Sequence, residues 1–313
     1  MNFLNLLKRC VLCPHKCKVN RLNGEAGFCK ALGHAVISSA LPHYGEEPPI
    51  SGNKGSGTVF FGYCNMKCLY CQNYQISQEF ADSDFKEADI KDLSEIMILL
   101  QEQGCHNINF VSPTIWIPQI IESIKLTKET KNFNIPIVFN SGGYDNPKII
   151  KLLKGFIEIF MPDIRYSDND NAFKYSGVKN YVENNRKSLI EMYDQVGALK
   201  INKNGIATQG LMIRLLILPD NISGVKKSLD FIKYELSTDV YISIMAQYHP
   251  LYKANSFPEL NRKINYREYI EVINYAEKLG FSNGVIQEFE NPDTTEDLFI
   301  PDFKNKNIFK YKK

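Results

Sequence analysis

Long apolar runs are missing from the 313 residues: none reaches the roughly 18 needed to span a bilayer, and residues 1–9 are too short to hold the charged and apolar regions of a secretory signal. The chain therefore reads as cytoplasmic, with no membrane partner. Net charge is nearly missing too. Against 37 Lys and Arg stand 35 Asp and Glu, so the formal charge is +2 and gives no global attraction for nucleic acid. No basic patch with interleaved aromatics supplies a local one. Histidine is scarce, at five, and cysteine stops at residue 105. What remains is 44% hydrophobic and 12% aromatic, an ordinary globular composition that excludes disorder over most of the length. Such a length allows one large domain with a small appendage.

The eight cysteines are unevenly spread. Cys10, Cys13, Cys17 and Cys29 form one set, Cys64, Cys68 and Cys71 a second, and only Cys105 stands apart. In a reducing compartment, and with a core large enough to need no staples, a disulfide framework is not expected. Clustered thiols here point to bound metal.

From residue 58 onward, short β-branched or aromatic runs alternate with longer helical patterns, the signature of repeated βα units and a parallel sheet. Strands are expected at Thr58 to Gly62, Asn107 to Val111, Pro136 to Asn140, Phe156 to Met161, Leu211 to Leu218 and Val240 to Ala246. Most are almost continuously apolar, as strands covered on both faces should be. Helices are expected at Asp89 to Gln103, Ile115 to Lys131, Pro147 to Lys154, Val182 to Val196, Val225 to Leu236 and Tyr266 to Leu279. Six such units suit an α/β fold of the partial (β/α)6 barrel kind, with a doubly wound open sheet as the alternative. Residues 1–57 differ: rich in Gly, Pro and Cys, they read as a small metal-stapled module and linker before a barrel over 58–290. Residues 291–313 read as a solvated basic tail.

Cys64-Asn65-Met66-Lys67-Cys68-Leu69-Tyr70-Cys71 follows the first barrel strand, on the loop at its carboxyl end, where barrel enzymes build their sites. Three thiolates in eight residues can hold three irons of a cubane, leaving the fourth iron open. A structural zinc knuckle would want a fourth Cys or His alongside, and none is near in sequence. Cys10, Cys13, Cys17 and Cys29 supply four ligands, enough to close a zinc site or to hold an auxiliary iron-sulfur cluster; spacing does not separate the two. Cys105 reads as a buried hydrophobe.

CxxxCxxC with an aromatic before its last cysteine resembles the signature of the radical S-adenosylmethionine (SAM) superfamily, whose fold is a partial or full β/α barrel. The stretches Gly24 to Cys29, His43 to Pro48, Gly55 to Thr58, Cys71 to Tyr74 and Met245 to Pro250 resemble its uncharacterised branch named as related to pyruvate formate-lyase activating enzyme. The resemblance implies a 4Fe-4S cluster on Cys64, Cys68 and Cys71, with SAM chelating the open iron. Reduction would then yield a 5'-deoxyadenosyl radical that abstracts hydrogen. It also implies a flavodoxin- or ferredoxin-type reductant and a protein or peptide substrate, a glycyl-radical enzyme among the candidates.

Site residues follow from the same resemblance. Where the superfamily usually carries Gly-Gly-Glu after its second strand, this chain has Ser112-Pro113-Thr114, so Ser112 and Thr114 are offered as cofactor contacts, with a helix cap as the competing reading. Asn140-Ser141-Gly142-Gly143 resembles the Asp-Thr-Asn-Gly stretch of the activators, and Met161-Pro162-Asp163-Ile164-Arg165 their Met-Leu-Asp-Leu-Lys. Asn140 in place of Asp removes a charge from the cation site of those enzymes; Arg165 in place of Lys exchanges a point charge for a planar fork. Arg214 and Gln247 are polar residues inside apolar strands, and a buried Arg needs an anionic or carbonyl partner. The competing function is a non-catalytic iron-sulfur electron carrier or scaffold, which would need neither the open iron nor polar residues at strand ends.

Overall fold

A computed structural model of the protein describes residues 2–79, 85–130 and 132–289; the expected basic tail lies outside them. In chain order the strands are β1 (Ala35–His43), β2 (Ser56–Phe61), β3 (Lys86–Ala88), β4 (Ile108–Val111), β5 (Ile137–Ser141), β6 (Ile159–Pro162), β7 (Lys200–Ile201), β8 (Ala207–Leu216), β9 (Tyr241–Met245) and β10 (Gly284–Ile286). They form one open sheet in the order β10-β9-β8-β6-β5-β4-β2-β1-β3, with β7 beside β8. From β2 to β10 along this path every pairing is parallel. This is an α/β partial barrel that does not close.

The six expected strands are β2, β4, β5, β6, β8 and β9. Two more complete the wall. β10 has only three residues, too few to show a period, and pairs with β9 through Gly284, Val285 and Ile286. β1 runs antiparallel to β2, inside the segment that the sequence reading leaves without strands. Pro42 lies in β1, and it is tolerated because β3 pairs only with Ala35, Val36 and Ile37, so the far side of β1 is a free edge at residue 42.

Helices Ile90–Glu102, Ile117–Thr130, Tyr181–Val196 and Tyr266–Leu279 pack outside the sheet at the expected places. Their ends follow local chemistry: Asp89 with Asp92, and Asn265 with Glu268, form capping boxes, and Gly280 takes the left-handed conformation that stops the last helix. Two short helices decide the interior. Asn169–Ser176 supports the cysteine loop from outside. Pro48–Ser51 plugs the barrel interior: Ile50 is fully buried in an apolar cluster with Val138, Ile159, Met161, Met212 and Tyr241, of which Val138, Ile159 and Tyr241 lie at or next to the starts of their strands. Asn107 Nδ2 donates to the Ile50 carbonyl at 2.7 Å and ties the plug to β4. Gly52 ends it at φ 47°, where a Cβ would strike Ile206 and His106.

Candidate active site

One strand repeat, two residues, separates the apolar plug layer from a polar layer on the same inward face. Asn140 follows Val138, Asp163 follows Met161, Arg214 follows Met212, and Ser243 follows Tyr241. These four line a cavity of about 580 Å³ together with Ser112, Ser141, Gly142, Arg165 and Gln247. All but one of the expected cofactor contacts therefore meet in one chamber.

The exception is Thr114, which does not line the cavity. It is buried behind the wall and its hydroxyl donates to Asp145 Oδ1 at 2.6 Å. Ser141 Oγ donates to the other oxygen of Asp145, also at 2.6 Å. Burial pushes the Asp145 carboxyl up to about 6 despite these two donors. Ser112 adopts a left-handed φ of 59°, and its N–H donates to the Asn140 carbonyl at 2.9 Å; its side chain makes no capping bond, so the cap reading does not hold.

Charge in the chamber is organised around Asp163. Its Oδ1 accepts from Arg214 Nε at 2.9 Å and its Oδ2 from Arg165 Nη2 at 2.6 Å, so both oxygens are spent on guanidinium groups. Arg214 also donates through Nη2 to Asn140 Oδ1 at 2.6 Å and through Nη1 to Glu46 Oε2 at 3.3 Å. Asp163 thus sets the two arginines in place, and the forks face the cavity. Gln247 is held by Gln287, whose Nε2 donates to its Oε1 at 3.2 Å.

The Cys64–Cys71 loop leaves β2 and is clamped by backbone bonds: Lys67 N–H donates to the Ser176 carbonyl and Leu69 N–H to that of Tyr175, each at 2.9 Å. Donors also reach the sulfurs. A buried chain runs from Tyr70 Oη to Tyr166 Oη at 2.7 Å, to Ser176 Oγ at 2.7 Å, and ends with Ser176 donating to Cys68 Sγ at 3.0 Å. Met66 N–H donates to Cys64 Sγ at 3.4 Å, and Ser77 Oγ lies 3.3 Å from Cys71 Sγ. Burial pushes the Cys64 thiol up to about 12 and raises Cys71 as well, each further raised by the neighbouring cysteines. As free groups these are protonated thiols; metal would displace the protons.

Does this set fit an iron-sulfur cluster? Among the described residues, no three Cys, His, Asp or Glu side chains are disposed to hold a single metal ion. A cubane asks for something else, one thiolate on each of three irons. The donors aimed at all three sulfurs suit that state, because hydrogen bonds to cluster-bound sulfur stabilise its charge. Arg165 adds an unmet demand: its Nε is buried without a partner at the cavity wall, and Gly142 leaves it room, since a Cβ there would lie 3.4 Å from Nε and 3.0 Å from Met66 Sδ. The three thiols fit the cluster, and the Arg165 fork fits an anion beside it.

Cys10, Cys13, Cys17 and Cys29 line a separate cavity of about 10 Å³. Phe28 N–H donates to Cys17 Sγ at 3.4 Å, and Gly27 is required there because a Cβ would sit 2.8 Å from that sulfur. Burial raises Cys13 and Cys29, with the other thiols of the set adding to it. The four thiols share one space, but as placed they are not disposed to hold a single metal ion, so a metal there would have to draw them together.

The radical SAM superfamily profile matches residues 58–232, from β2 to the helix after β8. Over 281 residues, 88% of this chain and 76% of the other, the sequence is 32% identical to the uncharacterised protein MJ0674 of Methanocaldococcus jannaschii. The chain belongs to the radical SAM superfamily. A second protein of that organism, MJ0808, is 25% identical over 294 residues, covering 88% of this chain and 79% of its own. Among solved structures, Streptococcus suis SuiB bound to S-adenosylmethionine aligns with a TM-score of 0.49 and 15% identity over 72% of this chain and 48% of SuiB. HydG from Carboxydothermus hydrogenoformans aligns with a TM-score of 0.48 and 10% identity, over 75% and 53%. This chain spans about half the length of those two proteins. Membership of the radical SAM superfamily implies a 4Fe-4S cluster and SAM as cofactors. Among the described residues no helix is long and apolar enough to cross a membrane.

Sequence reasoning did not pick out Glu46 as a site residue. It reaches the chamber from just before the plug, where its Oε1 accepts from Asn109 Nδ2 at 2.9 Å. Glu46 thus brings an acid to the chamber from the amino-terminal segment, and the available signal was two acids directly before Pro48-Pro49. Burial pushes the Glu46 carboxyl up from 4.5 to about 7; Arg214 opposes this, and Glu47 and Asp163 add to it. Because the folded value is the higher one, the unfolded chain releases this proton first. Stability should therefore fall as pH rises from about 4.5 through 7. Glu46→Gln is expected to flatten that part of the profile, read as unfolding temperature at pH values below and above the window; an unchanged slope would place the titration elsewhere.

Proposed function

We propose that this protein is a radical SAM enzyme acting on a protein or peptide, with activation of a glycyl-radical enzyme as one form of that activity. Cys64, Cys68 and Cys71 would hold the cluster, and the polar layer of the chamber would hold SAM. Together, given one electron, they would supply reductive cleavage of SAM to methionine and a 5'-deoxyadenosyl radical able to take hydrogen from the substrate. A flavodoxin or ferredoxin suits that step because each delivers one electron at a time.

The protein's own part is positioning. Arg165, with Nε free and Nη2 on Asp163, offers a donor to the cofactor carboxylate. Arg214, Asn140 and Ser112 present polar groups from three further strand ends, and the plug packs an apolar layer beneath them. The observation that carries the proposal is this polar chamber beside the Cys64, Cys68 and Cys71 loop, which an electron carrier would not need.

SAM binding to anaerobically reconstituted protein tests it. Asp163→Ala frees both arginines and is expected to weaken SAM binding by about tenfold or more, the scale of one charge-assisted hydrogen bond, with iron content retained. Asp163→Asn, which keeps the shape, should do the same with less risk to folding. If iron content and SAM affinity are both unchanged, the polar layer is not the cofactor site.

A further inference from the structure

The chamber holds more carboxyl groups than its own cations pair. Three carboxyl groups line the cavity, Glu46, Glu47 and Asp163, against two guanidinium groups, Arg165 and Arg214. Asp163 takes the short contacts of both arginines, at 2.6 and 2.9 Å. Glu46 is left with one long ion pair, 3.3 Å to Arg214 Nη1, although its side chain is only 9% exposed.

Glu47 feels the Arg214 charge through space but has no direct contact with it. The residue is 9% exposed, its Oε2 is buried without a hydrogen-bond partner, and it forms no salt bridge among the described residues. Nor does it serve the plug helix it precedes. The Glu47 carbonyl accepts from Ile50 and Ser51, but its side chain makes no capping bond. A carboxylate buried on a cavity wall with an idle oxygen costs free energy, and the cheapest relief is a cationic hydrogen-bond donor from a ligand.

The demand of Glu47 is distinct from the cofactor contacts. Glu47 directly precedes the plug and its side chain makes no hydrogen bond to the polar layer among the described residues, whereas Glu46 touches that layer through Arg214 and Asn140, and the cysteine loop follows the carboxyl end of β2. A molecule lying along the barrel axis, with its reacting carbon near the mouth, would put its far end on the two acids.

We infer that Glu46 and Glu47 form a receptor for a positively charged group of the substrate, a primary ammonium or a guanidinium such as a lysine, arginine or amino-terminal group carries. This rests on the chamber being the substrate site, as set out under Proposed function. Two carboxylates side by side can accept several N–H bonds from one such group, and Arg214 keeps Glu46 aimed while its own charge is held by Asp163.

The test uses the anaerobically reconstituted protein and a simple pair of probes, 1,5-diaminopentane and its neutral counterpart 1,5-pentanediol, followed by titration calorimetry with and without saturating SAM. The diamine is expected to bind saturably and the diol not, and SAM should leave the diamine affinity in place. Glu47→Gln should weaken the diamine by about tenfold, the loss of one charge-assisted bond. Glu47→Met, an apolar replacement that removes the unpaired buried charge, covers the case in which the glutamine variant folds poorly. Equal binding of diol and diamine, or full diamine affinity in a folded Glu47 variant, would overturn the inference. So would displacement of the diamine by SAM, which would assign the acids to the cofactor's own amino group. Failure of the proposed function looks different: the wild-type protein would bind the diamine yet never cleave SAM.

Discussion

Cys68→Ala should remove the iron-sulfur cluster altogether, with the EPR signal that SAM perturbs disappearing along with the iron. Cys68 is the most enclosed of the three thiols, 6% exposed, and receives the Ser176 hydroxyl at the end of the Tyr70–Tyr166 chain. Without its thiolate one iron loses its protein ligand, and no other Cys or His stands in the loop to replace it. Cys64→Ala and Cys71→Ala should behave alike, since each supplies a separate iron. Cys105→Ala is the control. That residue is buried near the start of β4, away from both cysteine sets, and its loss should cost stability and no iron. A triple variant of Cys64, Cys68 and Cys71 that kept the perturbed signal would sink the assignment.

How much of this was legible depends on the range of the interactions involved. β2, β4, β5, β6, β8 and β9 declare themselves because a strand covered on both faces must be apolar throughout, and that pattern needs no knowledge of neighbours. β1 hides because Ser38, Ser39 and Pro42 break the pattern, and its pairing with β2 is a tertiary event. Helix Asn169–Ser176 hides as well: Asn169, Asp170 and Asn171 at its start are weak helix formers, and Asp168 supplies the cap that lets it begin.

The site divides in the same way. Asn140 and Asp163 were visible through the resemblance of their stretches, and Arg214 as a polar residue inside an apolar strand; the period of two places them in one layer. Sequence reasoning gave Asp163 a direct contact with the cofactor; the structure gives both of its oxygens to arginines. Thr114 was misplaced because only one residue separates it from Ser112, across a Pro-initiated turn that sends the first to the cavity and the second to Asp145. Glu46 and Glu47 could not be located at all before the plug was seen, since nothing local says that Pro48–Ser51 enters the barrel.

Loss of a ligand from the amino-terminal cysteine set should damage stability before it alters radical chemistry. The segment is stitched to the barrel by a few specific bonds: Phe3 N–H to Glu122 Oε1 at 2.7 Å, Asn146 Nδ2 to the Val11 carbonyl at 2.8 Å, and His15 Nε2 to the Asn65 carbonyl at 2.9 Å. Arg21 carries the most weight. It is 1% exposed, donates to the carbonyls of Leu32 and Ile115, and lies 4.9 Å over the fully buried Trp116 ring. A buried guanidinium satisfied only by carbonyls holds while its surroundings are rigid, and a metal bound by the four thiols would provide that rigidity. Cys17→Ala should therefore lower the unfolding temperature and solubility, releasing up to on the order of 10 kcal/mol of metal-linked folding energy. Its effect on SAM cleavage should appear only as the protein melts, with the His15 contact to Asn65 as the path by which loosening reaches the Cys64 loop. Metal analysis fixes the role. About one zinc beside about four irons is the expected result, because four thiolates saturate one metal and leave no position open for substrate. About eight irons without zinc, and a second low-potential EPR species, would reject structural zinc and make this module an electron relay.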